Sequence, residues 1–379
     1  MKPIPDHIQG LADQLAASGH LSDPAWHQAL HAVPRHLFAP SLAWVDGGNG
    51  PDRLVDRAAD EEAWLEAVYS NNSIATQFDD GATPLEAGGE NYTSSLSAPG
   101  VVIAFLQLLG LSDHHRVLEI GTGTGWTAGL LAHRAGDHNV VSVEIDGALS
   151  ASAGEHLKAA GLSPRLIVAD GADGWPAGAP YDRVHVTCGV REVPYAWVEQ
   201  TRPGGRVVFP WVPGFGYGHK ARLRVTSDGR AIGGFCGDAG YMMLRSQRFE
   251  HYAPTVEKEG EQSTTRLDPR TATGDSYGCD VAVAALVPGL AAVEEETGQG
   301  GVRLHLRDPE GSWALADYEP GREDYAVAQA GPRRLWSEVE TAYLRWVSWG
   351  CPGRDRFGIT VTGEGQRIWL DSPGNPIAP

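Results

Sequence analysis

The stretch that most constrains this chain is Val117-Leu118-Glu119-Ile120-Gly121-Thr122-Gly123-Thr124-Gly125-Trp126-Thr127-Ala128-Gly129-Leu130-Leu131. It opens with a short apolar run that reads as a buried strand. A glycine-rich turn follows, then a helix rich in alanine and leucine. Glycines in such a turn let the backbone approach a ligand with no Cβ in the way. The helix start offers free N–H groups and the positive end of a dipole.

The alternation of strand and helix continues downstream. Val140-Val141-Ser142-Val143-Glu144-Ile145-Asp146 reads as a second strand ending in an acid. An acid there can accept both hydroxyls of a ribose. Residues 165–169 form a third strand that closes on Asp170-Gly171, and residues 183–187 form a fourth after Tyr181-Asp182. Pro203-Gly204-Gly205 then turns into residues 206–210. This order predicts an α/β fold with a mostly parallel, doubly wound sheet and a ligand at the strands' carboxyl ends. The dinucleotide fingerprint G-x-G-x-x-G would place its third glycine at position 126. Trp126 stands there, so that reading loses a packing requirement. The pattern E-x-G-x-G-x-G instead resembles motif I of the S-adenosylmethionine-dependent methyltransferases, and that resemblance implies their Rossmann-like fold.

With 379 residues the chain is long enough for two domains. A formal net charge of -18 disfavours a broad phosphate-binding surface, so no nucleic-acid partner is expected and the acidity is read as solubility. Cys188, Cys236, Cys279 and Cys351 form no C-x-x-C pair. That argues against zinc and a disulfide framework, and points to a reducing cytoplasm. No apolar run approaches membrane-spanning length, and no secretory signal is apparent at the N-terminus.

In chain order, Ile8, Leu11 and Leu15 have helical spacing, with Gly19 as a stop. Ser22-Asp23-Pro24 reads as a cap for a helix carrying Trp26, Leu30 and Val33. Residues 41–90 read as irregular and acidic, with a short helix near 61–69 and a loop or lid from Gly81 to Glu90. Residues 101–109 read as a buried helix. Residues 221–226 and 231–235 flank the turn Ser227-Asp228-Gly229-Arg230, and 241–244 is expected to add a strand. Residues 250–275 read as a linker. Hairpins are expected around Asp308-Pro309-Glu310-Gly311 and Gly363-Glu364-Gly365. Between them Leu335, Trp336, Val339, Ala342, Tyr343, Trp346 and Val347 form one side of a helix. The domain expectation is 1–248 for the catalytic part, with N-terminal helices and lid over 1–100. A small α+β accessory domain over 276–379 follows it.

Several short segments carry a more specific resemblance. Val33-Pro34-Arg35-His36-Leu37-Phe38, Ser95-Leu96-Ser97-Ala98-Pro99, Asp170-Gly171, Ala179-Pro180-Tyr181-Asp182 and Pro203-Gly204-Gly205-Arg206 resemble the protein-L-isoaspartate O-methyltransferases over roughly residues 8–248. The C-terminal segment is similar to the extension of homologues that modify ribosomally made peptides (lanthipeptides, lasso peptides and graspetides). Two features depart from the family. Gly100-Val101-Val102 stands where repair enzymes carry a polar residue or histidine, and the stretch between Pro40 and Tyr92 has no simple counterpart.

The resemblance implies S-adenosylmethionine as cofactor. It implies cofactor contacts from Ser94, Ser95, Glu119, Gly121, Thr122, Gly123, Thr124, Gly125, Glu144, Ile145, Asp170 and Gly171. Among them Glu144 would hold the ribose hydroxyls, and Asp170 would accept from the adenine amino group. Ser95, Leu96 and Ser97 would lie at the junction with a peptide substrate, and Ser97 matches the family serine that meets the substrate carboxylate. A hydroxyl donates to a carboxylate without adding charge. The competing reading of Ser97 is a helix N-cap. His185 is read as a hydrogen-bonded core histidine, Cys188 as packing, and the aromatics of the late helix as core.

Methyl transfer from a sulfonium is an in-line displacement. The nucleophile is a carboxylate, already ionised at neutral pH. No general base is therefore required, and the enzyme's work is alignment and partial desolvation. The leading expectation is esterification of an aspartyl carboxylate in a modified peptide. The backbone nitrogen then closes an aspartimide, which opens mainly to isoaspartate. The alternatives are repair of isoaspartyl residues in damaged proteins, a small-molecule methyltransferase, and a cofactor-binding module without chemistry.

Overall fold

The computed structural model describes residues 2–48, 50–248, 260–274 and 276–379. The chain forms two compact units, Met1–Cys188 with Ala196–Phe209, and Gly189–Tyr195 with Pro210–Pro379.

In the first unit, α1 (Ile4–Ala17) buries Ile8, Leu11 and Leu15, as their spacing predicts. Asp23 caps α2 (Pro24–Ala32) by accepting from the Ala25 amide at 2.9 Å. Residues 41–90 are not irregular. They supply β1 (Leu42–Val45), β2 (Arg53–Asp56), the expected short helix α3 (Glu61–Val68) and β3 (Ile74–Phe78). With β4 (Tyr92–Leu96) the strands form an antiparallel sheet in the order β2-β1-β3-β4. These strands are only four or five residues long, so little period-two signal reaches the sequence. Their order comes from pairing with one another.

α4 (Pro99–Leu109) precedes β5 (Val117–Ile120), α5 (Trp126–Ala135), β6 (Val140–Glu144), α6 (Gly147–Ala159) and β7 (Arg165–Val168). Then come β8 (Tyr181–Val186), α7 (Tyr195–Glu199) and β9 (Thr201–Trp211). These strands lie in the order β9-β8-β5-β6-β7 and every pair is parallel. The strand order reverses at β5, which has β6 on one side and β8 on the other. A crevice at the carboxyl ends of β5, β6 and β8 follows from that reversal. The central strands are mainly apolar: Val117, Leu118, Ile120, Val143, Val184, Val186 and Val208 are all buried, as strands covered on both faces require. Tyr181 pairs with Thr201 but Arg183 pairs with Arg206, so the Pro203-Gly204-Gly205 turn is looped out of the ladder.

In the second unit, β10 (His219–Val225) and β11 (Ala231–Asp238) form the expected hairpin. The strand expected over 241–244 is absent. Met243 makes only an isolated bridge to Gly189, because the main chain there bonds to a loop: Gly189 donates to the Met242 carbonyl and Leu244 to that of Gly189. The expected linker also holds ordered structure, β12 (Glu261–Thr265) and α8 (Pro269–Gly274). Residues 249–259 and 275 of that stretch lie outside the described residues. β12 is polar, and its order comes from pairing with a strand sixty residues on.

The chain continues through α9 (Tyr277–Leu286), β13 (Ala291–Gly298), β14 (Gly301–Arg307), β15 (Trp313–Tyr318), β16 (Tyr325–Ala330) and α10 (Leu335–Ser348). It ends in β17 (Phe357–Thr362) and β18 (Gly365–Leu370). One antiparallel sheet has the order β12-β16-β15-β14-β13. α10 buries Leu335, Trp336, Val339, Ala342 and Trp346, while Val347, expected in that stripe, faces solvent. The last hairpin joins a different sheet: β17 pairs with β11, giving the order β18-β17-β11-β10. Among the described residues no helix is long and apolar enough to cross a membrane.

Candidate functional site

The loop after β5 is built on three left-handed glycines, Gly121 (φ 90°), Gly123 (φ 53°) and Gly125 (φ 89°). Gly121 is also sterically required. A Cβ there would sit 2.5 Å from Thr187 Oγ1, which itself donates to the carbonyls of Gly121 and Ile120 at 2.5 and 3.0 Å. Thr187, one residue past β8, therefore pins the loop from the neighbouring strand.

Behind the loop runs a buried polar chain. Ser142 Oγ donates to Glu119 Oε2 at 2.6 Å and lies 2.6 Å from Thr122 Oγ1. All three residues are buried. Glu119 Oε1 has no hydrogen-bond partner among the described residues and lies 4.0 Å from His185 Nδ1. Burial pushes the Glu119 carboxyl up to about 8, against the pull of the Ser142 hydrogen bond. Burial also pushes His185 down to about 4, so the pair is neutral near pH 7. His185 is a core histidine, as expected, but not a hydrogen-bonded one. Neither ring nitrogen has a hydrogen-bond partner among the described residues, and an edge-on Phe105 ring lies at 6.2 Å.

Glu144 ends β6. Its Oε2 accepts from the Gly123 amide at 2.9 Å and its Oε1 from the Asp146 amide at 3.1 Å. An ionised carboxylate has about four acceptor sites. The anchored group can therefore still receive two hydroxyls. Asp170 caps the turn after β7 by accepting from the Ala172 amide at 2.9 Å. The Gly171 carbonyl accepts from Trp197 Nε1 at 2.8 Å. Ile145 is 38 % exposed and Val168 60 % exposed, leaving apolar surface beside these acids. Cys188 lies near both: burial, then the Glu144 and Asp170 carboxylates, push its thiol well above the usual range. The packing role expected for it stands.

The opposite wall comes from β4. A Cβ on Gly123 would lie 3.8 Å from Ser94 Oγ and from the Ser95 carbonyl, so these serines face the loop. Ser94 is buried and accepts from Thr76 Oγ1 at 3.0 Å. Gln77 of β3 donates to Asp146 Oδ2 at 3.2 Å and accepts from Thr93 Oγ1 at 2.9 Å, which ties the small sheet to the end of β6. The Leu96 side chain points into the core, so any substrate contact it makes runs through its main chain. Ser97 does not cap α4. The N-cap is Ala98, without a side-chain bond, and the Ser97 hydroxyl has no hydrogen bond among the described residues.

Arg35 holds this segment in place. Its guanidinium is buried and donates to the carbonyls of Asn72, Leu96 and Ser97 at 3.0, 3.1 and 3.0 Å, and to that of Val68. Trp126, the residue that broke the dinucleotide fingerprint, lies 5.4 Å beneath the guanidinium and donates to the Val33 carbonyl at 3.1 Å. Burial without a facing carboxylate pulls Arg35 down to about 9, still a cation at neutral pH. The Gly100 departure also has a physical reason. Asn71 Oδ1 accepts from the Gly100 amide at 2.7 Å, and a Cβ on Gly100 would collide with that amide group at 2.9 Å.

Of the residues named from sequence, Ser94, Ser95, Glu119, Gly121, Thr122, Gly123, Thr124, Gly125, Glu144, Ile145, Asp170 and Gly171 gather at the ends of β4, β5, β6 and β7. Thr187, Ser142, Gln77 and Asn71 were missed. Ser142 had a signal, a hydroxyl within the apolar run 140–143. Arg35 was legible only as part of a motif. The site fits a cofactor of the expected kind: a loop whose Cβ-free face adjoins β4, an acid with spare acceptor capacity, exposed apolar surface and an orphaned buried carboxyl oxygen.

A family model described as protein-L-isoaspartate(D-aspartate) O-methyltransferase matches residues 57–232. A protein-L-isoaspartate O-methyltransferase of Methylorubrum extorquens (strain PA1) is 32 % identical over 233 residues, covering 60 % of this chain and 84 % of the relative. Protein-L-isoaspartate O-methyltransferase 2 of Archaeoglobus fulgidus is 32 % identical over 202 residues, covering 53 % of this chain and 76 % of the relative. A solved structure titled protein-L-isoaspartate O-methyltransferase superposes with a TM-score of 0.55 at 20 % identity, covering 96 % of this chain and 100 % of that one. At that identity the likeness shows the fold alone.

Proposed function

Because the chain belongs to the protein-L-isoaspartate O-methyltransferase family and is an S-adenosylmethionine-dependent methyltransferase, we propose that it esterifies the carboxylate of an isoaspartyl residue in a peptide or protein at the Ser97 end of the crevice. The observation that carries this reading is the Ser94–Ser97 segment, held against the glycine loop by Arg35 with the Ser97 hydroxyl left for a ligand.

When bound, S-adenosylmethionine supplies a methyl group on a positively charged sulfur. The residues of this chain supply position. Glu144 holds ribose hydroxyls with a carboxylate already anchored by two main-chain amides. Asp170 and Gly171 seat the adenine edge, with Ile145 and Val168 against its face. Glu119, fully buried, holds the loop through Ser142 and Thr122. Ser97 Oγ donates to one oxygen of the substrate carboxylate and leaves the other to react. No proton has to leave the nucleophile, which agrees with a site whose histidine, His185, is buried and neutral. The ester formed has methanol as its leaving group, so the neighbouring backbone nitrogen can close a succinimide.

Within this reading residues 1–248 carry the transfer and 276–379 act as an accessory domain that recognises substrate. A second reading is an aspartyl carboxylate in a ribosomally made, modified peptide. It is favoured by the extra sheet β12–β16 and by Asn71 and Gly100, which remodel the entrance where repair enzymes carry a polar side chain. Incubation with labelled cofactor and two peptides, one linear and isoaspartyl, one macrocyclic with aspartate, separates the readings. Label on the linear peptide supports the first, label on the macrocycle alone supports the second, and label on neither removes both.

A further inference from the structure

One side chain ties the loop before α2 to α4. Gln107 Oε1 accepts from the Ser22 and Asp23 amides at 2.9 and 3.2 Å and from the Ser22 hydroxyl at 2.8 Å, and its Nε2 donates to the His20 carbonyl at 2.6 Å. Gln107 stands seven residues, close to two helical turns, after Gly100, so the two share a face of α4. The loop is thereby laid along that face with the His20 imidazole over Gly100, where a Cβ would lie 3.2 Å from His20 Cδ2. Asn71 reaches the same point from the loop before β3, its Nδ2 3.0 Å from that Cβ position. Two side chains from separate parts of the sequence thus fill the place that a side chain at position 100 would take.

Their remaining polar atoms are a donor and an acceptor side by side. The Asn71 amide is oriented by the Gly100 N–H, which donates to Oδ1 at 2.7 Å, and its Nδ2 has no hydrogen-bond partner among the described residues. Ser18 Oγ donates its one proton to the Leu15 carbonyl at 3.2 Å and lies 2.7 Å from His20 Nδ1. The imidazole therefore donates from Nδ1, and its neutral form has a bare acceptor at Nε2, the atom next to Cδ2. Both residues are half-buried, so these polar edges are reachable. Ser97 is close by. Arg35 Nη2 donates to the Ser97 and Asn72 carbonyls, each at 3.0 Å, which gathers the Ser97 segment and the Asn71 loop on one nitrogen.

We propose that His20 and Asn71 bind the main chain of one extended residue beside the isoaspartyl residue of the substrate. An extended residue turns its N–H and its C=O to the same side, as in the hydrogen-bonded pairs of an antiparallel ladder. His20 Nε2 accepts from that N–H and Asn71 Nδ2 donates to that C=O, while Ser97 meets the carboxylate. The pair reads main chain rather than side chain. It excludes proline at that position, since proline has no N–H to offer. The assignment rests on the isoaspartyl-methylating reading above and adds to it a requirement for an extended flank.

The test uses the full-length protein with S-adenosylhomocysteine, which has no methyl group to transfer, and a fluorescein-labelled linear isoaspartyl peptide. In a companion series each main-chain amide is replaced in turn by an ester, which removes one N–H at nearly constant shape. Fluorescence anisotropy is expected to show one flanking position where the ester weakens binding about fivefold to tenfold, the value of one hydrogen bond. His20→Ala is expected to weaken the all-amide peptide by a similar factor and to abolish the ester effect at that position alone. Its affinity for S-adenosylmethionine should stay within twofold, and circular dichroism checks that it is folded. His20→Gln, which keeps an acceptor, is expected to recover most of the loss. In turnover His20→Ala should raise KM and leave kcat unchanged. An ester profile that is the same in parent and variant overturns the proposal, as does a His20→Ala protein that binds the all-amide peptide like the parent, or a loss of kcat at unchanged KM. Absence of binding by every peptide overturns it too. Binding with the expected ester profile but without methyl transfer from S-adenosylmethionine would instead remove the methylation reading alone.

Discussion

Arg35 is the residue whose removal tests the architecture of the site most sharply. Arg35→Met keeps the aliphatic stem and removes every donor. The carbonyls of Val68 and Leu96 are then left buried without a partner, and those of Asn72 and Ser97 partly so. Each fully buried orphan costs about 1–3 kcal/mol. The stacking on Trp126 contributes up to about 2 kcal/mol when desolvated. Relief from burying a cation with no facing carboxylate offsets part of this, and a net loss of about 3–5 kcal/mol is expected. That is a large share of the stability of an ordinary domain. Arg35→Lys keeps the charge and three donors and is expected to lose about half as much. Urea denaturation followed by tryptophan fluorescence measures both variants. Because Arg35 holds the Leu96 and Ser97 carbonyls, Arg35→Lys is also expected to lower kcat/KM for peptide at least tenfold while leaving cofactor affinity within twofold. A methionine variant within 1 kcal/mol of the parent, with kcat/KM preserved, would refute the reasoning.

Other perturbations probe the loop and its support. Ser97→Ala is expected to reduce kcat/KM for peptide about tenfold to a hundredfold, the value of one charge-assisted hydrogen bond, without changing thermal stability by more than a few degrees. Gly121→Ala combines a left-handed φ with a 2.5 Å contact to Thr187 Oγ1, and should weaken cofactor binding by at least tenfold in calorimetry. Glu119 has a folded pKa of about 8 against 4.5 in an unfolded chain. Its folded form therefore keeps a proton that the unfolded chain releases, and its contribution to stability falls as pH rises through that window. His185, with a folded pKa of about 4 against 6.5, acts in the opposite sense and only below pH 6.5. Between pH 6.5 and 8 the His185 effect is absent and the Glu119 effect amounts to roughly 2 kcal/mol, with Asp280, raised by burial to about 7, adding in the same sense in parent and variant alike. Urea midpoints across that range should fall in the parent and stay flatter in Glu119→Gln, and equal slopes would contradict the burial argument.

The strand–loop–helix unit from Val117 to Leu131 was legible because one stretch carries its whole requirement: apolar strand, left-handed glycines, helix start. The same holds for Glu144 and Asp170, each closing an apolar run. The four-stranded sheet over residues 42–96 was not, since its strands are short and β1 pairs with β3 across the whole stretch 46–73. The final hairpin was legible as a hairpin, but β12 and the sheets that both elements join were not, because their partners, β16 and β11, are distant in sequence. Among site residues, those proposed to meet a ligand were visible from motif spacing. Those that hold the motif were not, because Thr187, Asn71 and Arg35 act on main-chain carbonyls and amides, which leave no mark on residue type.

The central claim is that this crevice transfers a methyl group to an isoaspartyl carboxylate, with Ser97 as the substrate's donor. The direct measurement is intact-mass analysis of an isoaspartyl peptide and its ordinary aspartyl counterpart after incubation with S-adenosylmethionine, with Ser97→Ala alongside. The account predicts one added methyl on the isoaspartyl peptide, followed by loss of methanol, and little product from the variant. An unmodified isoaspartyl peptide in the presence of protein shown by calorimetry to bind the cofactor would contradict it.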